Sequence, residues 1–531
     1  MTQTDTSGTT STDAVRRARQ HALGELPRRS AARFPDKIAL VDGAQQLTFT
    51  EFDMVVDRVA NALRERGLNH GDRCAVLARN SWQFAVLSFA TARLGVILVP
   101  INFMLNAGEV SFILDHSGAR AIVAGSDLVD VADEALGRCE NPAPVRACIG
   151  ETAGGWEPFQ SWVGHGDATP VDVAVGDDDP VRLMYTSGTE SRPKGVLLSS
   201  RSLMWQYATC IIDGSMADTD VELHSLPMYH CAQLDCFLGP DVYLGATSII
   251  TQAPEPGVVL RLIQEHRVTK FFAPPTVWIS LLGSPDFDET DLSSLRKGYY
   301  GASAMPVEVL REIGERLPAV DLWNFYGQTE MSPLATILKP HEQVEFAGTA
   351  GRPATNVETR VVDDHDRPVP VGEIGEIVHR SPHAALGYYN DPDKTADAFA
   401  NGWFHSGDLG VFDEHGVLRI VDRKKDMIKT GGENVASREV EEAIYRLDGV
   451  AEAAVFGAPD PRWIEVVVAV VVPRPGVRIT AEEVIAHTRS LLAGYKTPKH
   501  VVIVDGLPKN PSGKILKRVL RDEFASTRSS S

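Results

Sequence analysis

Short β-rich runs alternate with helical patterns along most of the chain ahead of Thr359, and this alternation is the strongest constraint on the fold. Runs such as 37–41 and 73–77 are apolar and β-branched, which is typical of buried strands. Between them, apolar residues recur with helical spacing, and Thr50 with Asp53 forms a capping-box-like pair at the start of one such stretch. The alternation indicates an α/β layered architecture with largely parallel sheets.

The pattern changes from Thr359 onward. Turn residues there recur every few positions between short alternating runs, which indicates antiparallel β structure. After Asp426 a compact α+β pattern follows, with a helix near Ser437, strands at 453–456, 466–472 and 501–504, and a helix capped by Thr480 and Glu483.

These patterns predict four segments. We expect a large N-terminal domain at residues 26–424, made of layered α/β subdomains plus a β-rich subdomain. A small, mobile α+β C-terminal domain is predicted at residues 425–524. The polar ends, residues 1–25 and 525–531, are predicted to be disordered.

Composition excludes several classes of protein. The net charge of -19 over 531 residues argues against general binding to nucleic acid or to anionic membranes. The six cysteines form no CxxC pair, and the best apolar run, 84–99, is interrupted by Arg93, so no transmembrane helix is predicted. The start of the chain lacks the apolar core of a signal peptide, and we therefore predict a cytoplasmic protein.

Residues 185–196 read Y-T-S-G-T-E-S-R-P-K-G-V. This stretch suits a phosphate group, because it combines hydroxyl side chains, a glycine that permits close approach of the backbone, and Lys194. Pro193 stands where the P-loop pattern requires glycine, so this is a different arrangement. By itself the stretch is equally well explained as a polar β-hairpin turn.

Four later stretches also suggest chemistry, although each has a simpler explanation. Glu330 in N-F-Y-G-Q-T-E is a candidate Mg²⁺ ligand or a surface carboxylate. Asp408 in W-F-H-S-G-D-L could accept ribose hydroxyls or form an Asx turn. The third stretch, 422–435, lies where the pattern of predicted strands and helices changes. The fourth, 508–518, carries Lys514 but could be an exposed basic tail.

The order and spacing of the five stretches resemble those of the adenylate-forming superfamily, which includes acyl- and aryl-CoA synthetases and adenylation domains of peptide synthetases. The resemblance extends from about Leu26 to Arg521, and the sequence is most similar to the fatty-acid–CoA ligases. It implies a two-step reaction in which a carboxylate takes AMP from ATP and coenzyme A then takes the acyl group. ATP and coenzyme A would be co-substrates and Mg²⁺ the cofactor.

The resemblance also implies a role for individual residues. Those assigned to the nucleotide are Thr186, Ser187, Gly188, Thr189 and Lys194 at the β- and γ-phosphates, Thr329 at the α-phosphate, Gly301, Ala302, Ser303, Asn324, Phe325, Tyr326 and Gly327 beside adenine, and Asp408 and Arg423 at the ribose. Glu330, helped by Thr186, would hold Mg²⁺, and Lys514 would stabilise charge during adenylation. Lys425 would be the hinge, and Lys429, Gly431 and Gly432 would contact coenzyme A.

Residues of the acyl pocket are implied by the stretch P-M-Y-H, where His230 would lie beside the substrate carboxylate; a satisfied buried histidine is the alternative. The other candidates are Tyr229, Leu234, Tyr299 and Gly301, of which Leu234 and Tyr299 suit a hydrophobic core equally well. Some long-chain enzymes carry a tryptophan gate near this position, where the present chain has Leu234.

Two departures from the family pattern affect functional segments. Glu190-Ser191 replaces the usual Thr-Gly of the phosphate loop, and a carboxylate there would repel triphosphate unless it points outward or pairs with Arg192. Ile464-Glu465 replaces the usual Gly-Glu of the small domain.

We therefore predict an AMP-forming acyl-CoA synthetase that acts on a medium- or long-chain fatty acid, or on an aryl acid. The alternative is a stand-alone adenylation enzyme that loads an aryl or amino acid onto a carrier protein. An amino acid would need an acidic pocket residue, for which Asp235 is the nearest candidate although its offset from His230 fits poorly. A homodimer is the default expectation for such an enzyme.

Overall fold

The computed structural model describes residues 11–151, 154–186, 193–303, 305–431, 433–509 and 515–529. The chain divides into two compact units, Met1–Thr359 with His379–Phe404, and Arg360–Val378 with His405–Ser531. The predicted domain boundary between residues 424 and 425 lies inside the second unit and stays a prediction.

The first unit is built on two large sheets. The eight-stranded sheet has the spatial order Gly387–Tyr388, Lys194–Ser199, Pro180–Thr186, Ile97–Pro100, Arg73–Leu77, Ala121–Gly125, Val145–Ile149 and Glu157–Pro158. The nine-stranded sheet has the order Arg352–Pro353, Leu334–Leu338, Asp321–Gly327, Lys297–Gly301, Lys270–Phe272, Val221–His224, Thr247–Ile250, Ile38–Asp42 and Gln45–Thr48. Six neighbouring strands of the second sheet, from Asp321–Gly327 to Ile38–Asp42, are parallel, as predicted.

Helices pack on these sheets and are joined to them by short connections. The longer helices of the first unit are Ser11–Ala18, Leu26–Arg33, Phe49–Glu65, Trp82–Leu94, Ala107–Ser117, Val129–Arg138, Ser200–Asp213, Pro256–His266, Pro275–Leu282 and Val307–Arg316. Shorter ones are Phe159–Val163, Cys231–Gln233, Gly239–Leu244 and Pro392–Ala398, and Leu234–Leu238 forms a π-helical turn. Trp82–Leu94 is buried almost all round, which explains why its sequence is apolar on every face.

Three local predictions differ from the structure. The helix predicted to begin at Thr50 begins at Phe49, because Thr48 caps it by accepting from the Glu51 amide while the Glu51 side chain accepts from the Thr48 amide. Residues 11–25 of the segment predicted to be disordered contain the helix Ser11–Ala18 and a 3-10 turn at Leu23–Glu25. At the other end, the helix Lys517–Ser529 extends into the predicted disordered tail.

Tertiary contacts explain the order near the start of the chain. Leu23 is buried, and the Gly24 carbonyl accepts from Arg93 Nε at 2.9 Å. Arg93 is itself buried and pairs with Asp53 at 2.6 Å and Asp57 at 2.9 Å. The cation that interrupts the best apolar run of the sequence therefore anchors the N-terminal segment, a contact between residues that are distant in sequence.

The second unit also contains two sheets. One has the order Glu358–Val362, Gly375–Arg380, Phe404–Phe412 and Leu418–Arg423. The other contains Glu433–Val435, Ile428–Thr430, Ile464–Pro473, Val450–Asp460 and His500–Ile503, with the helices Ser437–Tyr445, Ala481–Leu491 and Lys517–Ser529. Thr480 and Glu483 form the predicted capping box. The mixed α/β class, with a large first and a smaller second unit, is confirmed.

Among the helices that the structure describes, none combines the length and apolar composition that crossing a membrane requires.

Candidate active site

Apart from Pro193, the described residues of the stretch 185–196 belong to two paired antiparallel strands. Thr186 ends one strand and Lys194 begins the next, and the two residues are paired antiparallel neighbours. The residues between them that were assigned to phosphate, Ser187, Gly188 and Thr189, lie outside the described residues, as does Glu190. The two strands hold Thr186 and Lys194 side by side, and the assignment of this stretch to phosphate stays a prediction.

Lys194 and Glu330 are linked by a tyrosine that the sequence patterns did not single out. The Lys194 ammonium lies 5.4 Å from the centre of the Tyr388 ring. The Tyr388 hydroxyl donates to Glu330 Oε1 at 2.8 Å. Tyr388 is held there because it pairs with Val196 on the strand that Lys194 begins. Pairing of distant strands created this contact, and no local signal in the sequence could have revealed it.

A cavity of about 300 Å³ lies beside this group and is lined by Phe112, His116, Pro193, Lys194, Gly195, Tyr388, Tyr389, Asn390, Asp391 and Lys394. On its wall, His116 Nδ1 lies 2.7 Å from the Tyr185 hydroxyl. Burial lowers the pKa of His116 and raises that of Tyr185, which favours the neutral form of both groups. The lysines Lys194 and Lys394 contribute positive charge to this cavity, although Asp391 lies 3.1 Å from Lys394.

Thr329 and Gly327 occupy a tightly packed turn after the strand Asp321–Gly327. Thr329 is buried, and its Oγ1 lies 3.4 Å from Cys231 Sγ. A Cβ atom on Gly327 would lie 1.8 Å from the Pro333 carbonyl oxygen, so no larger residue fits at this position without movement of the backbone. Packing of this kind fixes the backbone from which Thr329 and Glu330 project.

The residues assigned to adenine lie at the ends of two neighbouring parallel strands. Gly301 pairs with Phe325, and a Cβ atom on Gly301 would lie 2.4 Å from the Phe325 carbonyl oxygen. Ala302 follows with φ at 65° and is exposed together with Ser303. On the second strand, Asn324 is buried and donates to the Thr349 carbonyl at 2.8 Å, whereas Tyr326 is half-buried. Carboxyl ends of parallel strands are the usual place for a nucleotide in an open α/β sheet.

The segment 225–230 connects the strand Val221–His224 to the short helix Cys231–Gln233 and carries both Tyr229 and His230. His230 is exposed, so the alternative of a satisfied buried histidine does not describe it. Its Nδ1 accepts from the Ala232 amide at 3.1 Å. Tyr229 is 8% exposed, and among the described residues its hydroxyl has no hydrogen-bond partner. Burial raises the pKa of Tyr229 to about 12, so its hydroxyl stays protonated.

Leu234 and Tyr299 are both buried. The Tyr299 hydroxyl donates to the Gly214 carbonyl at 2.6 Å, and its ring stacks on Trp323 at 5.1 Å. Phe237 and Phe325 complete an aromatic cluster around Tyr299, with ring centres 5.2 and 5.3 Å away. Tyr299 is therefore part of the core, and its assignment to the acyl pocket remains a prediction.

In the second unit, the two residues assigned to the ribose are brought together. Asp408 and Arg423 are paired neighbours on antiparallel strands, and Arg423 Nε lies 2.7 Å from Asp408 Oδ1. The Asp408 side chain is 7% exposed and that of Arg423 is 39% exposed, so the pair is accessible mainly through the guanidinium. An Asx turn does not describe Asp408, which lies within the strand Phe404–Phe412.

The predicted hinge and coenzyme A residues follow this pair in the chain. Lys425 is half-buried, and burial lowers the pKa of its ammonium. The Lys429 amide donates to Glu465 Oε2 at 2.7 Å, and the Gly431 amide donates to the Trp463 carbonyl at 2.8 Å. Gly432 and Lys514 lie outside the described residues.

Ile464, one of the departures from the family pattern, is conformationally unusual. It has φ at 71°, in the left-handed region that is strongly disfavoured for a β-branched residue, and it is 66% exposed. Glycine, which the family usually has here, would carry no such strain. Its neighbour Trp463 packs against Gly431, where an added Cβ atom would lie 2.8 Å from the indole ring.

Two family models match most of the chain. Residues 27–389 match the family model of the AMP-binding enzyme, and residues 439–514 match that of the AMP-binding enzyme C-terminal domain. Feruloyl-CoA synthase from Amycolatopsis sp is 38% identical over 507 residues, which cover 95% of this chain and 100% of that protein.

Two further relatives are similar over nearly the whole chain. The Mycobacterium tuberculosis enzyme named 3-[(3aS,4S,7aS)-7a-methyl-1,5-dioxo-octahydro-1H-inden-4-yl]propanoyl:CoA ligase is 37% identical, with 93% of this chain and 97% of that protein covered. The solved structure of a Mycobacterium tuberculosis fatty acyl CoA synthetase superimposes with a TM-score of 0.77 at 32% identity, covering 95% of this chain and 99% of that one.

Proposed function

We propose that the acid activated by this protein carries a ring and a polar substituent. The chain belongs to the AMP-binding enzyme family and is an AMP-forming acid–thiol ligase that uses ATP and coenzyme A. The observation that carries this proposal is the Tyr229 hydroxyl, which is buried without a partner among the described residues. A buried hydroxyl without a partner costs free energy, and a polar group on a bound acid would remove that cost.

The aromatic cluster supports a compact acid. Tyr299, Trp323 and Phe325 pack closely behind Gly301, and the Tyr299 hydroxyl is already bonded to the Gly214 carbonyl. If the acid binds beside His230 and Gly301, as the family resemblance implies, this cluster limits the depth available to a linear chain. Two relatives with 37–38% identity are named for feruloyl and for octahydro-indenyl-propanoyl groups, which both contain rings.

A medium- or long-chain fatty acid, the acid predicted from sequence, is the second candidate. It is favoured by the similarity to a fatty acyl CoA synthetase over 95% of this chain. Leu234, at the position near which some long-chain enzymes carry a tryptophan, is buried and apolar and would suit such a chain.

The carrier-protein alternative with an amino acid is disfavoured by the state of Asp235. This carboxylate is fully buried, accepts from the Tyr207 hydroxyl at 2.9 Å and lies 3.7 Å from Arg182 Nε. Its Oδ2 has no hydrogen-bond partner among the described residues, but burial raises the pKa of Asp235 and so disfavours the charged form that would hold the α-ammonium group of an amino acid.

In the first half-reaction, a carboxylate oxygen of the acid would attack the α-phosphorus of ATP, and the bond to pyrophosphate would break. We assign Thr186, Lys194 and residues 187–189 to the departing pyrophosphate, and Thr329 to the α-phosphate. Tyr388 would orient the Glu330 carboxylate by its bond to Oε1, leaving Oε2 as a cation ligand. Glu330 and Thr186 fit a hard cation such as Mg²⁺, which takes few carboxylates together with phosphate oxygens and would neutralise phosphate charge.

In the second half-reaction, the thiol of coenzyme A would lose its proton and form a thioester with the acyl carbon, and AMP would leave. Asp408 and Arg423 would hold the ribose hydroxyls, with Arg423 orienting the carboxylate. Lys514 would stabilise charge in the first step, and Lys425 would be the hinge between the steps. Lys429, Gly431 and Gly432 would contact coenzyme A.

A panel of acids tests this proposal. AMP release is measured with ATP and Mg²⁺, with and without coenzyme A, for aryl- and cycloalkyl-propanoates, with and without hydroxyl or keto groups, and for linear fatty acids. We expect the highest kcat/KM for ring-bearing acids with a polar group, and AMP release that requires coenzyme A. A preference for linear acids would favour the second candidate, and release independent of coenzyme A would contradict the ligase assignment.

A further inference from the structure

The segment 225–230, which carries Tyr229 and His230, has no regular secondary structure. It contains one internal backbone bond, from the His230 amide to the Pro227 carbonyl at 3.1 Å. The backbone of this segment lacks the repeated hydrogen bonds of a helix or a sheet. Other groups must therefore fix its conformation and the direction of its side chains. Two buried amide side chains, Asn80 and Gln233, do this.

Asn80 lies in the connection between the strand Arg73–Leu77 and the helix Trp82–Leu94, and it is 2% exposed. Its Oδ1 accepts from the Met228 amide at 2.8 Å. Its Nδ2 donates to the Leu226 carbonyl at 2.7 Å and to the Thr251 carbonyl at 3.0 Å. The side chain therefore links a strand end of the eight-stranded sheet to two strand ends of the nine-stranded sheet.

Gln233 holds the same segment from the other side. It is 1% exposed, and its Oε1 accepts from the Leu226 amide at 3.1 Å. Its Nε2 donates to His224 Nδ1 at 2.7 Å, and His224 Nε2 in turn lies 3.3 Å from Asp241 Oδ2. Both backbone polar groups of Leu226 are thus bonded to buried side-chain amides whose own orientation is fixed by further partners.

We propose that Asn80 and Gln233 are positioning residues for binding of the acid. They hold the backbone at Leu226 and Met228 so that Tyr229 and His230 keep one orientation toward the substrate carboxylate. This inference rests on the proposed function, since it assumes that the acid binds beside His230. Small displacements of groups that orient a reactant can cost about 100-fold in rate.

Asn80→Asp tests the inference, because the new carboxyl has the same shape and can still accept from the Met228 amide. When ionised it cannot donate, and it faces the Leu226 and Thr251 carbonyl oxygens. We expect the KM for the acid to rise about tenfold or more, with little change in the KM for ATP. The defect should shrink as the pH is lowered, because a protonated carboxyl can again donate to one of the carbonyls.

Asn61→Asp is the matched control. Asn61 is also 2% exposed and donates to two backbone carbonyls, those of Asp167 at 3.2 Å and Thr169 at 3.0 Å. It lies on the helix Phe49–Glu65 and makes no contact with the segment 225–230 through these bonds. We expect this variant to lower the thermal midpoint while leaving the KM for the acid unchanged.

An unchanged KM for the acid in Asn80→Asp, with activity reduced only in proportion to folded protein, would overturn the inference. If that variant does not fold, Gln233→Leu gives the same test, since it removes the acceptor of the Leu226 amide. His230→Ala distinguishes failure of this inference from failure of the proposed binding place. If His230→Ala raises the KM for the acid and the Asn80 and Gln233 variants do not, only the positioning role fails. If His230→Ala leaves that KM unchanged, the acid does not bind beside His230.

Discussion

The Tyr388 hydroxyl donates to Glu330 Oε1 at 2.8 Å while the same ring lies 5.4 Å from the Lys194 ammonium. One side chain therefore lies between the carboxylate proposed to bind the cation and the lysine proposed to bind phosphate. The phenol provides Glu330 with a hydrogen bond and Lys194 with the electron-rich face of its ring. Both groups proposed to meet the nucleotide are therefore in contact with the same side chain.

Tyr388→Phe tests this relationship because it keeps the ring beside Lys194 and removes only the hydroxyl. We expect the apparent affinity for Mg·ATP to fall about tenfold, since a hydrogen bond to a charged group contributes roughly 1.5–3 kcal/mol. Titration of Mg²⁺ in a pyrophosphate exchange assay measures the change. Tyr389→Phe is the control, because Tyr389 packs against His116 instead, and an equal effect in both variants would contradict a specific role for Tyr388.

Lys514→Ala should abolish adenylation while largely sparing thiolysis. We expect pyrophosphate exchange to fall by about 100-fold or more, because the lysine is proposed to stabilise charge that develops at the α-phosphate. Conversion of supplied acyl-adenylate to the CoA ester should persist. Lys509→Ala is the control, since Lys509 is engaged with Glu452 at 2.7 Å. Unchanged exchange in Lys514→Ala would remove the proposed role.

Tyr229→Phe should discriminate among acids. We expect the KM to rise about tenfold for acids whose polar substituent bonds the hydroxyl, and to change little for unsubstituted analogues. Tyr300→Phe is a control, because Tyr300 is also buried but donates to Gln343 Oε1 at 2.8 Å. An equal rise in KM for all acids in Tyr229→Phe would show that the hydroxyl does not bond the polar substituent.

Ile464→Gly should stabilise the hairpin formed by Val450–Asp460 and Ile464–Pro473. Relief of the left-handed conformation is worth roughly 1–2 kcal/mol, partly offset by the greater backbone entropy of glycine in the unfolded chain, so we expect a net gain of about 1 kcal/mol. Slower hydrogen exchange at the hairpin amides measures this gain. Ile464→Val keeps the β-branch and should give no gain; equal protection in both variants would contradict strain at this residue.

Acid should destabilise the first unit through two buried histidines. Burial lowers the pKa of His383 to about 4 and that of His379 to about 3, against about 6.5 in the unfolded chain. Between pH 6.5 and 4 the unfolded chain therefore binds more protons. The stabilisation is fully present above pH 6.5 and is lost as the pH falls, by on the order of 3 kcal/mol for His383.

The measurement is the thermal midpoint of wild type and His383→Gln between pH 7 and 4.5. His383 Nδ1 donates to the Leu334 carbonyl at 3.1 Å, and its Nε2 lies 2.8 Å from Thr209 Oγ1. Burial lowers the pKa of this ring and so keeps it neutral in the folded protein. We expect the variant to be less stable at pH 7 but to have a shallower dependence on pH. His341→Gln, at an exposed histidine, should retain the wild-type slope. An unchanged slope in His383→Gln would assign the acid sensitivity to other groups.

The sequence by itself determined the fold class, the family and the chemistry, because each depends on local patterns. Alternating strand and helix periodicities predicted the layered sheets, and the spacing of five stretches identified the family. Strand limits were predicted within a few residues, and the run 73–77 was placed correctly, since apolar β-branched residues mark a buried strand directly.

Tertiary structure alone decided how distant residues meet. Tyr388 and Glu330 are 58 positions apart, and Asn80 contacts a segment 146 or more positions away, so no local pattern could predict either contact. The Gly24 carbonyl is likewise bonded by Arg93, a residue that looked in the sequence like an interruption of an apolar run. Hydrogen bonds and ion pairs are set by which strand ends lie side by side, and that arrangement is a property of the folded chain.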